Sequence, residues 1–354
     1  MSLDQLGFSE FSRTAVFAAR EGCVPARVII QEKTCYHVDL GGEDRIAQVS
    51  GKFHDEGEGL ESPVVGDWVL LRAAREEPGA TIVEVLPRRS ALFRTAAGSG
   101  QKLQAIAANI DVAFVVTSFN QDLNLRRLER YLVAIWDSGA SPVIVVNKSD
   151  LCADLAATIL EVEGVAASVP VIAACALSGQ GLDAIQEALK PHRTGVLVGS
   201  SGVGKSTLIN RLLNEERLQT AAIREDDGRG RHTTARRELI VLKGGGLLID
   251  TPGMREFQLG DGDASVDTAF PEIESLAREC RFRDCTHETE PGCAVQQALV
   301  DGTLARDRFD SYCKLQKELR YVARKNDVHL RLQELKKWKR LFREVERRPD
   351  KKRN

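Results

Sequence analysis

The sequence has no apolar run approaching the roughly 18 residues a membrane-spanning helix requires. Its start, Met1-Ser2-Leu3-Asp4-Gln5, has neither the basic head nor the apolar stretch of a secretory signal. A cytoplasmic protein without a membrane role is therefore expected. In that compartment Cys23, Cys35, Cys152 and Cys175, scattered through apolar or mixed surroundings, read as reduced thiols. Aromatic residues are scarce at 5%. Net charge is nearly absent at −2, but the balance hides an asymmetry. Residues 306–354 carry 18 Lys and Arg against 8 Asp and Glu, a local +10, which leaves about −12 on the remainder. A basic end on an acidic body points to a polyanionic partner met by that end.

At 354 residues with 43% hydrophobic content, the chain can build two or three domains with sizeable cores. The element that organises it is Gly199-Ser200-Ser201-Gly202-Val203-Gly204-Lys205-Ser206. It fits the phosphate-binding loop, Gly, four residues, Gly-Lys-Ser/Thr. The run 194–198 before it reads as a buried strand, and Thr207 opens a helical run after it. Backbone N–H groups of such a loop point at phosphate oxygens, and the helix N-terminus adds partial positive charge. Lys205 would reach the outer phosphates, and the Ser206 hydroxyl would ligate Mg2+.

The N-terminal third reads differently. Residues 1–24 form a short helical or loosely ordered arm. Over 25–90, five short β-prone runs separated by Gly and Pro turns suit a small closed barrel of the OB type. Few exposed-looking aromatics are available there for stacking on bases, with Phe53 and Trp68 the candidates. Residues 91–105 read as a mobile linker. From 106 to 260, continuous apolar strands alternate with helices, the signature of a mainly parallel sheet covered on both faces. In such sheets a nucleotide lies at the carboxyl ends of the strands.

Further motifs fall at those ends. Asn147-Lys148-Ser149-Asp150 resembles the guanine-recognition motif of GTPases. An aspartate can accept from guanine N1–H and the exocyclic amine together, a donor pair adenine lacks. Cys175-Ala176 resembles the Ser-Ala motif that offers a backbone N–H to the guanine carbonyl, with Cys175 in place of the usual Ser and its side-chain support weakened. Gly228 to Thr234 lies where GTPases carry their first switch, and either Thr233 or Thr234 would sense magnesium and the γ-phosphate. Leu247 to Gly253 gives a strand ending in Asp-x-x-Gly, with Asp250 on magnesium and Gly253 N–H on the γ-phosphate. Met254 stands where many GTPases keep a water-orienting Gln. Methionine cannot orient water, so His232 is the candidate catalytic group, with a plain loop role as its alternative. The guanine motifs precede the phosphate loop, the order of a circularly permuted domain.

Residues 261–354 read as mainly helical and basic, opened by Cys280-x4-Cys285-x-His287-x5-Cys293. Three thiolates and an imidazole make a closed tetrahedral set suited to one structural Zn2+. Lys336-Lys337-Trp338-Lys339-Arg340 suits contacts with RNA phosphates.

This combination resembles the ribosome small-subunit-dependent GTPase A (RsgA/YjeQ) family. The resemblance rests on Gly199 to Ser206, Gly230 to Thr234 and Cys280 to His287, and spans nearly the whole chain. It implies a GTP hydrolase in late maturation of the 30S subunit, stimulated by that subunit and touching 16S rRNA, with a monomer expected. Two other readings remain: an RNA scaffold that holds GTP without hydrolysis, and a GTPase switch acting on a protein partner.

Overall fold

A computed structural model of the chain describes residues 2–14, 22–32, 34–50, 62–73, 79–95, 103–119, 123–166, 169–190, 192–215, 237–250, 268–288 and 290–326. They fall into two compact units, Met1–Gln258 and Leu259–Asn354.

In the first unit the five β-prone runs become β1 (Cys23–Gln31), β2 (Tyr36–Asp39), β3 (Asp44–Val49), β4 (Trp68–Ala73) and β5 (Ala80–Val85). They pair in the order β1-β2-β3-β5-β4, and β4 returns to β1 with Trp68 opposite Arg27. Only β3–β5 is parallel; the other pairs are antiparallel. This closed five-stranded ring is the OB-type barrel. Alternation along the strands turns Ala26, Val28, Val38, Ala47, Val69, Leu71 and Ile82 inward.

Two expectations need correction here, on Trp68 and on residues 91–105. The N-terminal stretch takes the helical form of its two readings: a 3-10 turn (Asp4–Leu6) and α1 (Phe8–Thr14) place Leu6, Phe8 and Phe11 against the barrel. They pack on Trp68, whose ring lies 4.9 Å from Phe8 and 5.6 Å from Phe11. Trp68 is 1% exposed and so has no face to offer a base; Phe53 lies outside the described residues. The linker reading of 91–105 also fails in part. β6 (Ala91–Thr95) pairs antiparallel with β7 (Leu103–Ala108), and Leu92, Ala105, Ile106 and Ala107 are buried. A short alternating pattern flanked by Gly and Ser hid a pair of strands.

The α/β part continues through β8 (Val112–Ser118), α2 (Leu125–Asp137), β9 (Ser141–Asn147), α3 (Leu155–Val165), β10 (Val171–Ala173), α4 (Leu182–Ala188), β11 (Thr194–Val198), α5 (Lys205–Leu213), β12 (Arg237–Val241) and β13 (Leu247–Asp250). Asn124 caps α2 by accepting from Arg127 N at 3.0 Å, and Asp154 caps α3 by accepting from Ala157 N at 3.0 Å. The strand order is β10-β9-β8-β11-β13-β12, all parallel except β12. One face buries Leu128, Leu132 and Ile135 of α2 against Ile144, Val146, Val196 and Val198. The other buries Ile185, Leu208 and Leu212 against Val112, Phe114, Val145 and Leu197. Burial on both faces explains the continuous apolar strands. The edge strand β12, which the sequence reading did not single out, also pairs with β1, Ile30 opposite Glu238 and Gln31 opposite Arg237. One sheet of 11 strands thus runs from the α/β part into the barrel.

The second unit contains α6 (Pro271–Arg278), α7 (Ala294–Val300) and α8 (Arg306–Asn326). Phe270, Ile273, Val295, Phe309, Leu315 and Leu319 are buried, which fits the mainly helical reading of this region. The basic run 336–340 and the terminal charges lie outside the described residues. No described helix is long and apolar enough to cross a membrane.

Candidate functional site

The parallel strands β8, β9, β10, β11 and β13 all end at one edge of the sheet, and the motifs follow from those ends. Residues 199–204 leave β11 and lead into α5 at Lys205. Gly199 has φ 138°, and a Cβ there would lie 2.1 Å from Val116 O. Only glycine permits so close a pass over β8. Lys205 Nζ donates to Gly199 O at 2.8 Å and to Ser200 O, so its amine is folded over the phosphate loop. Ser206, in the first turn of α5, and Asp250, at the end of β13, follow neighbouring strands in register at Val196–Ile249. A hydroxyl and a carboxylate at adjacent strand ends are the donor types a hard cation takes.

The guanine motif begins where β9 ends. Asn147 is 1% exposed and joins three segments through one amide. Its Nδ2 donates to Val203 O at 2.8 Å, and its Oδ1 accepts from Ala176 N at 3.1 Å. Lys148, in the left-handed region at φ 60°, donates from Nζ to Gly202 O at 2.8 Å. Asp150 lies exposed on a 3-10 turn (Ser149–Leu151). The Cys175 thiol donates to Asp150 Oδ1 at 3.1 Å. The support expected to weaken at this substitution is therefore supplied by sulfur. Sequence reasoning missed Arg211 of α5, whose Nη2 donates to Leu177 O at 2.8 Å and ties the 175–178 loop to the phosphate-loop helix. No sequence signal marks it, since the helix Lys205–Leu213 carries other polar and basic residues. Ser201 and Thr207 sit within the same loop and helix start. His232, Thr233, Thr234, Gly253 and Met254 lie outside the described residues.

The second unit holds a distinct cluster. Cys280, Cys285, His287 and Cys293 bring their ligand atoms within 4.8 Å of one another. Cys280 Sγ is 3.8 Å from Cys293 Sγ and 3.6 Å from His287 Nδ1; Cys293 Sγ is 3.4 Å from that nitrogen. The loop is shaped for this. His287 adopts φ 59°, and Glu290 accepts from Thr286 N at 2.9 Å and Glu288 N at 3.0 Å. Cys293 doubles as the N-cap of α7, accepting from Gln296 N at 3.4 Å. Burial raises the Cys280 thiol, but hydrogen bonds from the backbone N–H groups of Val295 and Ala294 and from the Cys293 and Cys285 thiols together bring its pKa below the ordinary value, whereas burial pushes the Cys285 thiol up to about 11. Burial lowers the His287 pKa. A thiolate and a neutral imidazole are the forms a metal ion needs. Three sulfurs and one nitrogen converging on a space of this size fit a tetrahedral metal ion.

A phosphate loop, a guanine motif wired to it through Asn147, and the reversed order of the two define a circularly permuted P-loop GTPase. The comparisons agree. The RsgA GTPase family model matches residues 85–260. The Small ribosomal subunit biogenesis GTPase RsgA of Methanosarcina acetivorans is 46% identical over 94% of this chain and 89% of its own length. The crystal structure of YjeQ from Thermotoga maritima aligns with a TM-score of 0.62 at 25% identity, covering 84% of this chain and 98% of that one. The structure of YloQ, described as a circularly permuted GTPase, aligns with a TM-score of 0.60 at 25% identity, covering 86% and 98%. The chain belongs to the RsgA GTPase family, enzymes that hydrolyse GTP.

Proposed function

We propose that this GTPase acts in late maturation of the small (30S) ribosomal subunit, is stimulated by that subunit and contacts its 16S rRNA. The observation that carries the proposal is the identity to the small-subunit biogenesis GTPase of Methanosarcina acetivorans, which runs over 94% of the chain and so through both units. The +10 charge of residues 306–354 supports an rRNA contact by the second unit. The reading includes a cytoplasmic monomer.

Within the site, Asp150 reads the guanine edge, Asn147 and Lys148 frame the base, and Cys175-Ala176 supplies a backbone donor to its carbonyl. Residues 199–207 hold the phosphates, with Lys205 turning from the loop carbonyls to the outer phosphates. Ser206 and Asp250 would hold Mg2+, which neutralises phosphate charge when bound. Thr233 or Thr234 and the Gly253 N–H sense the γ-phosphate, and His232 orients the attacking water. The Cys280, Cys285, His287, Cys293 set takes a structural Zn2+; with all four positions filled by protein it has no catalytic part. The working domain division is 25–90, 106–260 and 261–354.

GTP turnover should be measured alone, with purified 30S subunits, with 50S subunits, and with ATP in place of GTP. Strong stimulation of GTP turnover by 30S subunits only is expected, and His232→Ala should abolish it while leaving nucleotide binding intact. Slow turnover that 30S subunits leave unchanged would remove the ribosomal reading. Intact stimulation in His232→Ala would remove the catalytic role of that residue.

A further inference from the structure

We propose that Arg94 and Arg237 form a binding site for a phosphate group of an RNA backbone, set where the barrel, the β6–β7 pair and β12 meet. The inference rests on the rRNA reading above and adds a contact in the first unit to the basic residues 306–354.

Arg94 of β6 is half-buried, and its Nε is shut off from solvent without a hydrogen-bond partner. Among the described residues it makes no hydrogen bond and no ion pair. A guanidinium in such a position ordinarily has its donors taken, because stripping water from an unpaired charge is costly. Its neighbours in the chain follow that rule: Arg88 pairs with Asp67 at 2.7 Å and Arg89 with Asp111 at 3.1 Å.

Arg237 opens β12 opposite Gln31 of β1 and is also half-buried. Its Nη1 donates to Gln31 Oε1 at 3.0 Å, and Gln31 Nε2 donates to Pro63 O at 3.4 Å. That partner is neutral, and no carboxylate among the described residues pairs with Arg237. Burial lowers the Arg237 pKa, and the Arg94 charge close by lowers it further. Val64, next to Pro63, packs with Phe93 of β6, so one turn of the barrel meets both Gln31 and the strand that carries Arg94. Both arginines stand on paired strands, Arg237 opposite Gln31 and Arg94 opposite Gln104. Two like charges are therefore held close together, with donors in place before any ligand arrives.

What such a pair lacks is an anion. Planar N–H forks match phosphate oxygens, and an RNA backbone presents phosphates on its outside, within reach of a half-buried site. A free phosphate ion shares that chemistry and has to be separated by experiment. Glu238, the residue after Arg237, stands opposite Asp250 of β13, so a phosphate held here would restrain the strand beside the proposed magnesium carboxylate.

The test measures binding of the full-length protein to protein-free 16S rRNA and to 30S subunits over a KCl series. It compares the wild type with Arg94→Gln, Arg94→Lys and Arg237→Gln, and reads GDP affinity and the urea midpoint of each. The two glutamine variants should weaken rRNA binding about tenfold and lower the slope of log affinity against log salt by about 1. Arg94→Lys should keep the slope and lose part of the affinity, since it keeps the charge without the fork. GDP affinity should stay within about twofold. The urea midpoint of Arg94→Gln should be unchanged or higher, because a like-charge contact is relieved. Unchanged rRNA binding in the glutamine variants would overturn the proposal and leave the rRNA reading standing, and a lowered midpoint beside it would mark Arg94 as structural. Weaker binding to 30S subunits alone would place a protein carboxylate in the site and overturn the RNA assignment. So would stabilisation of the wild type by inorganic phosphate that Arg94→Gln loses while its rRNA binding is intact. A wild type that binds neither rRNA nor subunits would remove the rRNA reading itself.

Discussion

Gly204 is the residue on which the two halves of the nucleotide site depend together. It adopts φ 96°, and a Cβ there would stand 2.3 Å from Nδ2 of Asn147. That amide nitrogen is the one bonded to Val203 O, so a methyl group at 204 would strike the link between the phosphate loop and the guanine motif. Gly204→Ala forces a left-handed conformation costing about 1–2 kcal/mol and also displaces Asn147. The expected outcome is a loss of roughly tenfold or more in affinity for both GTP and GDP with the fold retained. Calorimetric titration of the variant would check it, and unchanged affinity would show that the two motifs are not coupled through this amide. The glycine itself was legible as a motif position. Its contact with Asn147, 57 positions earlier in the chain, was not, because strand pairing rather than local sequence brings the two together.

At the scale of elements, β1 is shared. It pairs with β2 and β4 in the barrel and with β12 in the α/β sheet. From this strand Arg27, 2% exposed, reaches four groups in different segments. It donates to Leu6 O, to Gly66 O at 3.3 Å, to Asn109 O at 3.3 Å and to Thr194 Oγ1 at 2.8 Å, and lies 5.3 Å over the Trp68 ring. Burial pushes its pKa down to about 10, still well above neutrality, so it remains charged. Burying a guanidinium is costly unless its donors are used, and here the N-terminal turn, the barrel and the strand leading to the phosphate loop use them. Arg27→Met keeps much of the volume and strands these buried acceptors. A stability loss of about 3 kcal/mol is expected, read as a lower urea midpoint of the first unit. A loss under about 0.5 kcal/mol, the size of an ordinary surface change, would mean water replaces the arginine. No sequence pattern marks this residue, since an Arg in an alternating strand reads as an outward, solvated position.

For the whole molecule, the division into two units separates two kinds of stability. The first unit rests on two large apolar clusters on either side of its sheet. The second is smaller and places its four metal-ligand side chains between α6 and α7. A bound structural ion in such a unit contributes on the order of 10 kcal/mol to folding. We predict one zinc ion per chain by atomic emission. A strong chelator should unfold the second unit, lowering the helical circular dichroism signal, while GDP binding by the first unit persists. Metal-free protein that keeps its full helical signal would refute the structural role.

Several features of this protein were legible in the sequence alone, because their physics is local or compositional. The phosphate loop needs glycines and a Lys-Ser pair at fixed spacing. The metal set needs four ligands within a short loop, and parallel strands buried on both faces must be apolar throughout. The barrel strands, the alternation of apolar strands with helices over 106–260 and the permuted motif order were legible for the same reason. Other features needed the folded chain. The 91–105 stretch reads as a linker by its small residues, yet its strands have a buried face to fill. Trp68 reads as a possible stacking platform until Phe8 and Phe11 cover it. Cys175 reads as a weakened substitution until the register of β9 and β10 sets its sulfur against Asp150. In each case the deciding partner lies on a different segment. A side chain's role is fixed by what the fold places within hydrogen-bond or packing distance, and local sequence does not encode that distance.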